Sequence, residues 1–188
     1  PETEELVELL KSKIQSASGG PKSRILDVGT GSGVIALTLA AQFPEAEVHA
    51  IDISDDALAL AQENAARLEL KEGVRFARGN LLDGIADSFD LIVANLPYVP
   101  TTDRPTLSRE VLHDPDAAVF GGERGDELIR ALILAAPDRL RARGLLALEV
   151  GIGQADGLMA LLAEKNYHDI VSIRDYGGVT RFLLGRYG

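Results

Sequence analysis

Residues 24–33 read Arg-Ile-Leu-Asp-Val-Gly-Thr-Gly-Ser-Gly, and this stretch decides the fold. Its first half is a short apolar run that predicts a buried β-strand, and an apolar helical run follows from Val34 to Phe43. The glycines that alternate from Gly29 to Gly33 allow positive φ and close approach of a ligand to the backbone. The first amides of the following helix carry partial positive charge and point into the same gap. The stretch therefore predicts a cradle for a flat, polar ligand of nucleotide type.

Composition limits the classes of protein that remain. With 188 residues, 46% of them hydrophobic and 26% charged, the chain fits one compact domain over residues 1–188. A net charge of −10 argues against a broad nucleic-acid-binding surface. The sequence has no cysteine, which excludes disulfides, thiolate catalysis and zinc-thiolate sites.

Metal binding and membrane insertion are not predicted either. The three histidines, His49, His113 and His168, stand alone in the sequence without a familiar metal-ligand spacing. No apolar run is long enough to span a bilayer, and no signal-peptide pattern is present, so we expect a cytoplasmic protein. The chain begins at Pro1 without a methionine, which is typical of a fragment of a longer polypeptide.

Strand and helix signals alternate along the chain. This alternation predicts an α/β fold with a mostly parallel sheet and helices on both faces. Helices are predicted at residues 3–17, from Ser54 or Asp55 to Leu68, at 127–141 in two pieces, and at 154–164. Further strands are predicted at residues 48–52, 73–77, 89–94, 144–150, 168–174 and 180–186, the last two as an antiparallel hairpin. Residues 99–125 are rich in proline and glycine and predict a long irregular excursion.

Ligands of such sheets bind beyond the carboxyl ends of the strands, where the strand order reverses. If the chain winds outward from its first strand in both directions, the first and fourth strands flank that place. The glycine turn and residues 95–98 then face each other across one crevice. We therefore expect the binding and reaction chemistry at these two turns.

Two acids accompany the glycine turn. Asp27 precedes it and is expected to hold the turn by accepting backbone amides or to meet a ligand ammonium. Asp52 closes the second strand, where a carboxylate accepts hydrogen bonds from both hydroxyls of a ribose. The alternative is that Asp52 only caps the helix that follows. The glycine spacing differs from the dehydrogenase fingerprint, since Val34 stands where a third glycine is required.

The sequence Asn95-Leu96-Pro97-Tyr98 predicts a site for a planar amino group. Pro97 restrains Leu96 to extended geometry, so that the Leu96 carbonyl projects outward. That carbonyl and the Asn95 side-chain oxygen supply two acceptors, and Tyr98 supplies a flat ring. Hydrogen bonds to both protons of a carboxamide or an exocyclic base nitrogen favour a pyramidal nitrogen whose lone pair points at an electrophile. The alternative is a strand-ending turn with Tyr98 in the core.

These motifs resemble the class I S-adenosylmethionine-dependent methyltransferases, specifically the HemK/PrmC type that methylates glutamine in release factors. The resemblance covers essentially the whole chain and implies a Rossmann-like, seven-stranded sheet. Its motifs are Asp27 to Gly33, Asp52, Asn95 to Tyr98, Pro1 to Glu4, His113 to Gly122, Glu149 to Gly151 with Gln154, and Asp175 to Gly177 with Arg181.

The resemblance also implies roles for individual residues. Asn95, Pro97 and Tyr98 are the expected catalytic residues, and together with Leu96 they would grip the glutamine side chain. The residues expected to bind S-adenosylmethionine are Asp27, Gly29, Thr30, Gly31, Gly33, Asp52, Ile53, Asn80, Leu81 and Asn95. A peptide chain release factor is the expected partner, and no metal is expected.

Two departures from the family pattern keep alternatives open. Leu96 stands where the family usually has proline, and leucine at this place is also found in adenine N6-methyltransferases of DNA or RNA. The helical domain that precedes the catalytic domain in the family is absent from these 188 residues. A third interpretation is a cofactor-binding module without catalysis, against which the complete Asn95–Tyr98 motif argues.

Overall fold

The structure is a computed structural model that describes residues 2–15, 22–106 and 115–188. It consists of a central sheet with helices on both faces. The seven strands of this sheet lie in the order β3-β2-β1-β4-β7-β9-β8. Its strands are β1 (Arg24–Val28), β2 (Glu47–Asp52), β3 (Val74–Arg78), β4 (Phe89–Ala94), β7 (Leu140–Glu149), β8 (Tyr167–Arg174) and β9 (Thr180–Tyr187). Strands β5 (Val99–Pro100) and β6 (Phe120–Gly122) form a separate two-stranded sheet.

The helices are α1 (Glu2–Gln15), α2 (Val34–Gln42), α3 (Asp55–Arg67), α4 (Asp116–Val119), α5 (Glu127–Ala135) and α6 (Ala155–Glu164). Strands β1 to β4 and β7 pair in parallel, whereas β9 is antiparallel to both β7 and β8. The predicted mostly parallel, seven-stranded sheet with a C-terminal antiparallel hairpin is confirmed. No helix in the described ranges is both long and apolar enough to cross a membrane.

Alternate residues of β1 enter the two halves of the core. Ile25 packs with the buried residues of α1 and α2, whereas Leu26 and Val28 pack on the other face with those of α5 and α6. A strand that is buried on both faces needs apolar side chains on both, which Ile25, Leu26 and Val28 supply, whereas the buried Asp27 is the exception. The order of the strands reverses between β1 and β4, as predicted, and Val28 is in register with Ala94.

Several predicted boundaries are wrong. Strand β7 begins at Leu140, so Arg141 lies in a strand instead of a helix, and Arg143 takes a φ of +61° where the register with β4 shifts. Leu68 does not share the buried face of α3, because it is the C-cap and its side chain is 59% exposed. The first helix is predicted to end at residue 17, but residues 16 and 17 lie outside the described residues.

The described parts of residues 99–125, which are 99–106 and 115–125, contain short regular elements that their proline and glycine content does not predict. Val99 pairs with Phe120 in the small parallel sheet, and the short helix α4 leads into β6. A turn of 3-10 helix covers Thr101–Thr106, while His113 lies outside the described residues. Both ends of the excursion are therefore held beside the turn that follows β4.

Candidate active site

The glycine turn is bound to the end of the neighbouring strand β2. The amides of Gly29 and Thr30 both donate to the Ile51 carbonyl at 2.9 Å. Gly29, Gly31 and Gly33 have φ values of +72°, +55° and +86°, in the left-handed region where a Cβ is unfavourable. The prediction that this turn needs glycine for its backbone conformation is confirmed.

Asp27 holds the same turn from inside. Its Oδ2 accepts hydrogen bonds from the Thr30 hydroxyl at 2.6 Å and from the Ala36 amide at 3.2 Å. The side chain has no exposed surface, and its Oδ1 has no hydrogen-bond partner among the residues that the structure describes. Of the two predicted roles, the structure shows the support of the turn, and contact with a ligand ammonium stays a prediction.

Burial raises the pKa of Asp27 from its ordinary 3.8 to about 6, although the bonds from Thr30 and Ala36 lower it. The folded state therefore binds more protons than the unfolded chain between these values, and this carboxyl lowers stability as pH rises through that interval. Below the unfolded pKa both states are protonated and the penalty is absent.

We expect the free energy of unfolding of Asp27→Asn, relative to the parent, to increase by about 2 kcal/mol between pH 4 and pH 7. The asparagine cannot ionise, so it lacks the desolvation penalty that the carboxylate incurs. Urea denaturation across this pH range without ligand measures the difference. The exposed Asp156→Asn is the matched control and should show a flat difference; a flat difference for Asp27→Asn would contradict the account.

Asp52 connects the glycine turn to the start of α3. Its Oδ2 accepts from the Gly31 amide at 2.9 Å, and its Oδ1 accepts from the Ser54 amide at 2.9 Å. The cap of α3 is instead Ser54, whose hydroxyl accepts from the Ala57 amide at 3.2 Å. Asp52 is therefore not the cap of α3, and each of its carboxylate oxygens retains a lone pair for a further donor. Its contact with a ribose stays a prediction.

The residues predicted to contact a base lie close to Asp52. The Gly79 amide donates to the Asp52 carbonyl at 3.0 Å, which places Asn80 and Leu81 directly beyond the ends of β2 and β3. Leu81 has a φ of +50°, a costly conformation for a leucine. Ile53 is 51% exposed, although it follows a buried strand. An apolar side chain exposed at this edge fits the predicted contact with a flat ring.

The turn after β4 packs against the glycine turn. Leu96 is only 5% exposed, and a Cβ added to Gly29 would lie 2.8 Å from Leu96 Cδ2. The two turns are therefore in van der Waals contact at the reversal point, as the sequence predicts. Leu96, which stands where the family usually has proline, fills the space beneath the glycine turn. The residue type alone does not indicate this role.

Asn95 lies half-buried at the end of β4. Its Nδ2 donates to the hydroxyl of Thr3 at 3.2 Å, a contact between residues that are 92 positions apart in the sequence. The Asn95 amide is thus bound to the first turn of α1. Sequence reasoning missed this partner, although Thr3 lies in the N-terminal motif that carries the resemblance.

Tyr98 is held by its backbone and by its ring. The Gln154 side chain donates to the Tyr98 carbonyl at 3.0 Å and accepts from the Gly151 amide at 2.9 Å. The Arg181 guanidinium carbon lies 5.9 Å from the centre of the Tyr98 ring. The half-buried Tyr98 therefore lies at the edge of the core, where it packs against the apolar cluster of α5 and α6 and also contacts Gln154 and Arg181.

The glycines of residues 121–125 support the same turn from behind. A Cβ at Gly121 would lie 2.3 Å from the Pro97 carbonyl oxygen, and one at Gly125 would lie 2.4 Å from the Tyr98 carbonyl oxygen. Any larger residue would displace the backbone of the turn. Residues 121–125 therefore pack closely against the backbone of Pro97 and Tyr98.

A cavity of about 610 Å³ opens beside Tyr98, on the β7 side of the turn. Its lining includes Arg124, Asp126, Arg130, Ile152, Gln154 and Arg181. Arg130 Nε donates to Asp126 at 2.6 Å, and Arg124 lies 3.4 Å from the same carboxylate. Within the described residues, no group of three or more metal-ligating side chains is placed to hold a metal ion.

Known proteins share this sequence and this fold. A family model described as a methyltransferase domain matches residues 20–120. A release factor glutamine methyltransferase of Deinococcus radiodurans is 44% identical over 99% of this chain, and one of Neisseria gonorrhoeae is 37% identical over 100% of it. A solved ribosomal protein L11 methylase from Lactobacillus delbrueckii subsp. bulgaricus superposes with a TM-score of 0.72 at 25% identity, covering 100% of this chain and 80% of that one.

The relatives are longer than this chain. It spans 65% of the Deinococcus protein, slightly less than two thirds, and 67% of the Neisseria protein. The solved methylase supports the predicted class I methyltransferase fold.

Proposed function

Because this chain belongs to the release factor glutamine methyltransferase family, we propose that residues 1–188 form a catalytic domain that methylates a glutamine side chain on N5. The proposed methyl donor is S-adenosylmethionine, and the proposed substrate is a peptide chain release factor. The observation that carries the proposal is the contact between the glycine turn and the turn of residues 95–98 at the ends of β1 and β4. We place the reaction in the cytoplasm, where release factors act.

The cradle fits such a donor. No atom of the described parts of the chain lies within 4 Å of a Cβ added to Gly31, so a ligand could approach the turn from this side. Asp52 has lone pairs for ribose hydroxyls, and Ile53, Asn80 and Leu81 would contact the base. Gly29, Thr30 and Gly33 shape the turn that would receive the methionine part, with Asp27 behind it. When bound, the donor supplies an electrophilic methyl group on a positively charged sulfur.

The turn after β4 would prepare the nucleophile. In this proposal Asn95 Oδ1 and the Leu96 carbonyl would accept the two N–H bonds of a glutamine amide, and Pro97 disfavours helical geometry at Leu96. With its N–H bonds held by these acceptors, the amide nitrogen would direct its lone pair at the methyl group that the bound donor supplies and would take up that methyl group. Its proton becomes acidic only then and leaves to water, so no ionised base is required. Tyr98 would pack its ring against the reacting group.

The proposal is tested by offering two classes of substrate with radiolabelled S-adenosylmethionine. We expect methyl transfer to a release factor, mapped by mass spectrometry to one glutamine, and none after that glutamine is replaced by alanine. Incorporation into DNA or RNA adenine instead would establish the alternative activity. Tight binding of the donor without transfer to any protein would support the non-catalytic module.

Gln154→Ala is expected to impair the substrate turn selectively. The variant removes the donor to the Tyr98 carbonyl and the acceptor for the Gly151 amide, so the turn loses its connection to β7. We expect kcat/KM for the protein substrate to fall about 10-fold, with unchanged affinity for S-adenosylmethionine. Steady-state kinetics and calorimetry measure the two effects. Gln62→Ala, at an exposed position of α3, is the matched control and should change neither quantity.

A further inference from the structure

The N-terminal helix contacts the residue to which the proposed function assigns the chemistry. Thr3 lies in the first turn of α1, and its hydroxyl is 3.2 Å from Asn95 Nδ2. An asparagine side chain presents a carbonyl oxygen on one edge and an NH2 group on the other. The proposed reaction needs the oxygen edge toward the substrate amide, and nothing in the sequence near Asn95 selects that orientation.

Both residues of this hydrogen bond belong to elements that are packed into the core. Leu6 and Leu10 of α1 are fully buried, and Glu5 Oε2 accepts from the Tyr176 amide at 2.9 Å, which ties the helix to the turn between β8 and β9. Asn95 directly follows the buried end of β4, and Leu96 is packed beneath the glycine turn. The Thr3 hydroxyl is therefore a fixed acceptor rather than a mobile surface group.

We propose that Thr3 is a positioning residue that holds the Asn95 amide at a fixed position and in a fixed plane, an inference that rests on the proposed function. By accepting from Nδ2, the hydroxyl leaves Oδ1 on the opposite edge, turned away from α1, as an acceptor for the substrate nitrogen. Without it, the amide loses the one described hydrogen bond that fixes its plane, so rotation about the side-chain bond would move Oδ1 away from the substrate N–H groups. Thr3 thus acts through Asn95 and needs no contact with substrate.

Thr3→Val removes the hydroxyl at nearly constant volume, and Thr3→Ser restores it. We expect Thr3→Val to lower kcat about 10- to 30-fold, since misorientation of a positioned group reduces rate by one to two powers of ten, with the Kd for S-adenosylmethionine unchanged. Thr3→Ser should recover most of kcat. Thr38→Val is the matched control, because the Thr38 hydroxyl bonds only to the Val34 carbonyl of its own helix among its contacts in this structure; its kcat should equal that of the parent.

Side-chain amide NMR of the ligand-free 188-residue chain tests the contact without any assay of activity. The Asn95 NH2 resonances, assigned by their loss in Asn95→Asp, should move on Thr3→Val and remain near the parent values in Thr3→Ser. Unmoved resonances in Thr3→Val would overturn the proposal, as would a loss of donor affinity that matches the loss of kcat, or failure of serine to rescue. If the parent methylates no glutamine, the proposed function fails, whereas the NMR result still decides whether Thr3 orients Asn95.

Discussion

Asn95→Ala is expected to lower kcat for glutamine methylation by about 10³-fold or more, while the Kd for S-adenosylmethionine changes less than about twofold. The amide nitrogen is a poor nucleophile because its lone pair is delocalised into the carbonyl group. Removing Asn95 Oδ1 leaves one acceptor, the Leu96 carbonyl, which cannot by itself hold both N–H bonds. Single-turnover kinetics and calorimetry separate the two effects.

The same variant bears on the stability of the fold. Asn95 is half-buried, and its only hydrogen bond among those described is to Thr3, so alanine should reduce the free energy of unfolding by about 1 kcal/mol. A thermal melt close to that of the parent would show that the loss of turnover does not arise from unfolding. Equal losses of turnover and donor affinity would contradict the role assigned to Asn95.

Asp52→Ala is expected to raise the Kd for S-adenosylmethionine about 10²- to 10³-fold. Two charge-assisted hydrogen bonds to ribose hydroxyls contribute about 3 kcal/mol or more. The variant also frees the Gly31 amide, which Asp52 Oδ2 now holds at 2.9 Å, so the cradle loses its shape as well as its acceptor. Isothermal titration calorimetry with the donor measures the change directly.

Asp56→Ala provides the matched control for this experiment. It removes the same charge from an exposed position in the first turn of α3, four residues along the chain. If donor affinity fell equally in both variants, the effect of Asp52 would be one of net charge alone. An unchanged Kd in Asp52→Ala would place the ribose elsewhere.

The strands that carry the site could be predicted because their sequence signals are local. The apolar run of β1, the glycines after it and the apolar helix α2 are contiguous in sequence. Their conformations follow from backbone sterics and burial. Pairing between β1 and β4 is predicted on the condition that the chain winds outward from β1 in both directions, and the observed strand order meets that condition. The contact between the two turns could therefore be predicted from the sequence alone.

The supports of the substrate turn could not be predicted in the same way. Thr3 and Gln154 reach Asn95 and Tyr98 from distant parts of the chain, and neither residue type indicates its partner. The pairing of β5 with β6 is too short to leave a periodic pattern in a stretch rich in proline and glycine. Such contacts depend on the packed fold rather than on local propensity.

The effect of leucine at position 96, where the family usually has proline, can be judged only from its packing in the folded structure. From the sequence, leucine in place of proline predicts a less rigid turn. In the structure its side chain is buried against Gly29 and joins the two halves of the site through packing. Rigidity that proline would supply through its ring is supplied here through van der Waals contact.

The central claim is that the donor and a glutamine amide meet where β1 and β4 diverge. A crystal structure of the chain with S-adenosylhomocysteine and a glutamine peptide from a release factor tests it most directly. We predict the glutamine nitrogen at about 3 Å from both Asn95 Oδ1 and the Leu96 carbonyl oxygen, with the sulfur facing it from the side of Gly31. A glutamine bound away from Asn95, or an adenosyl group bound away from Asp52, would contradict the account.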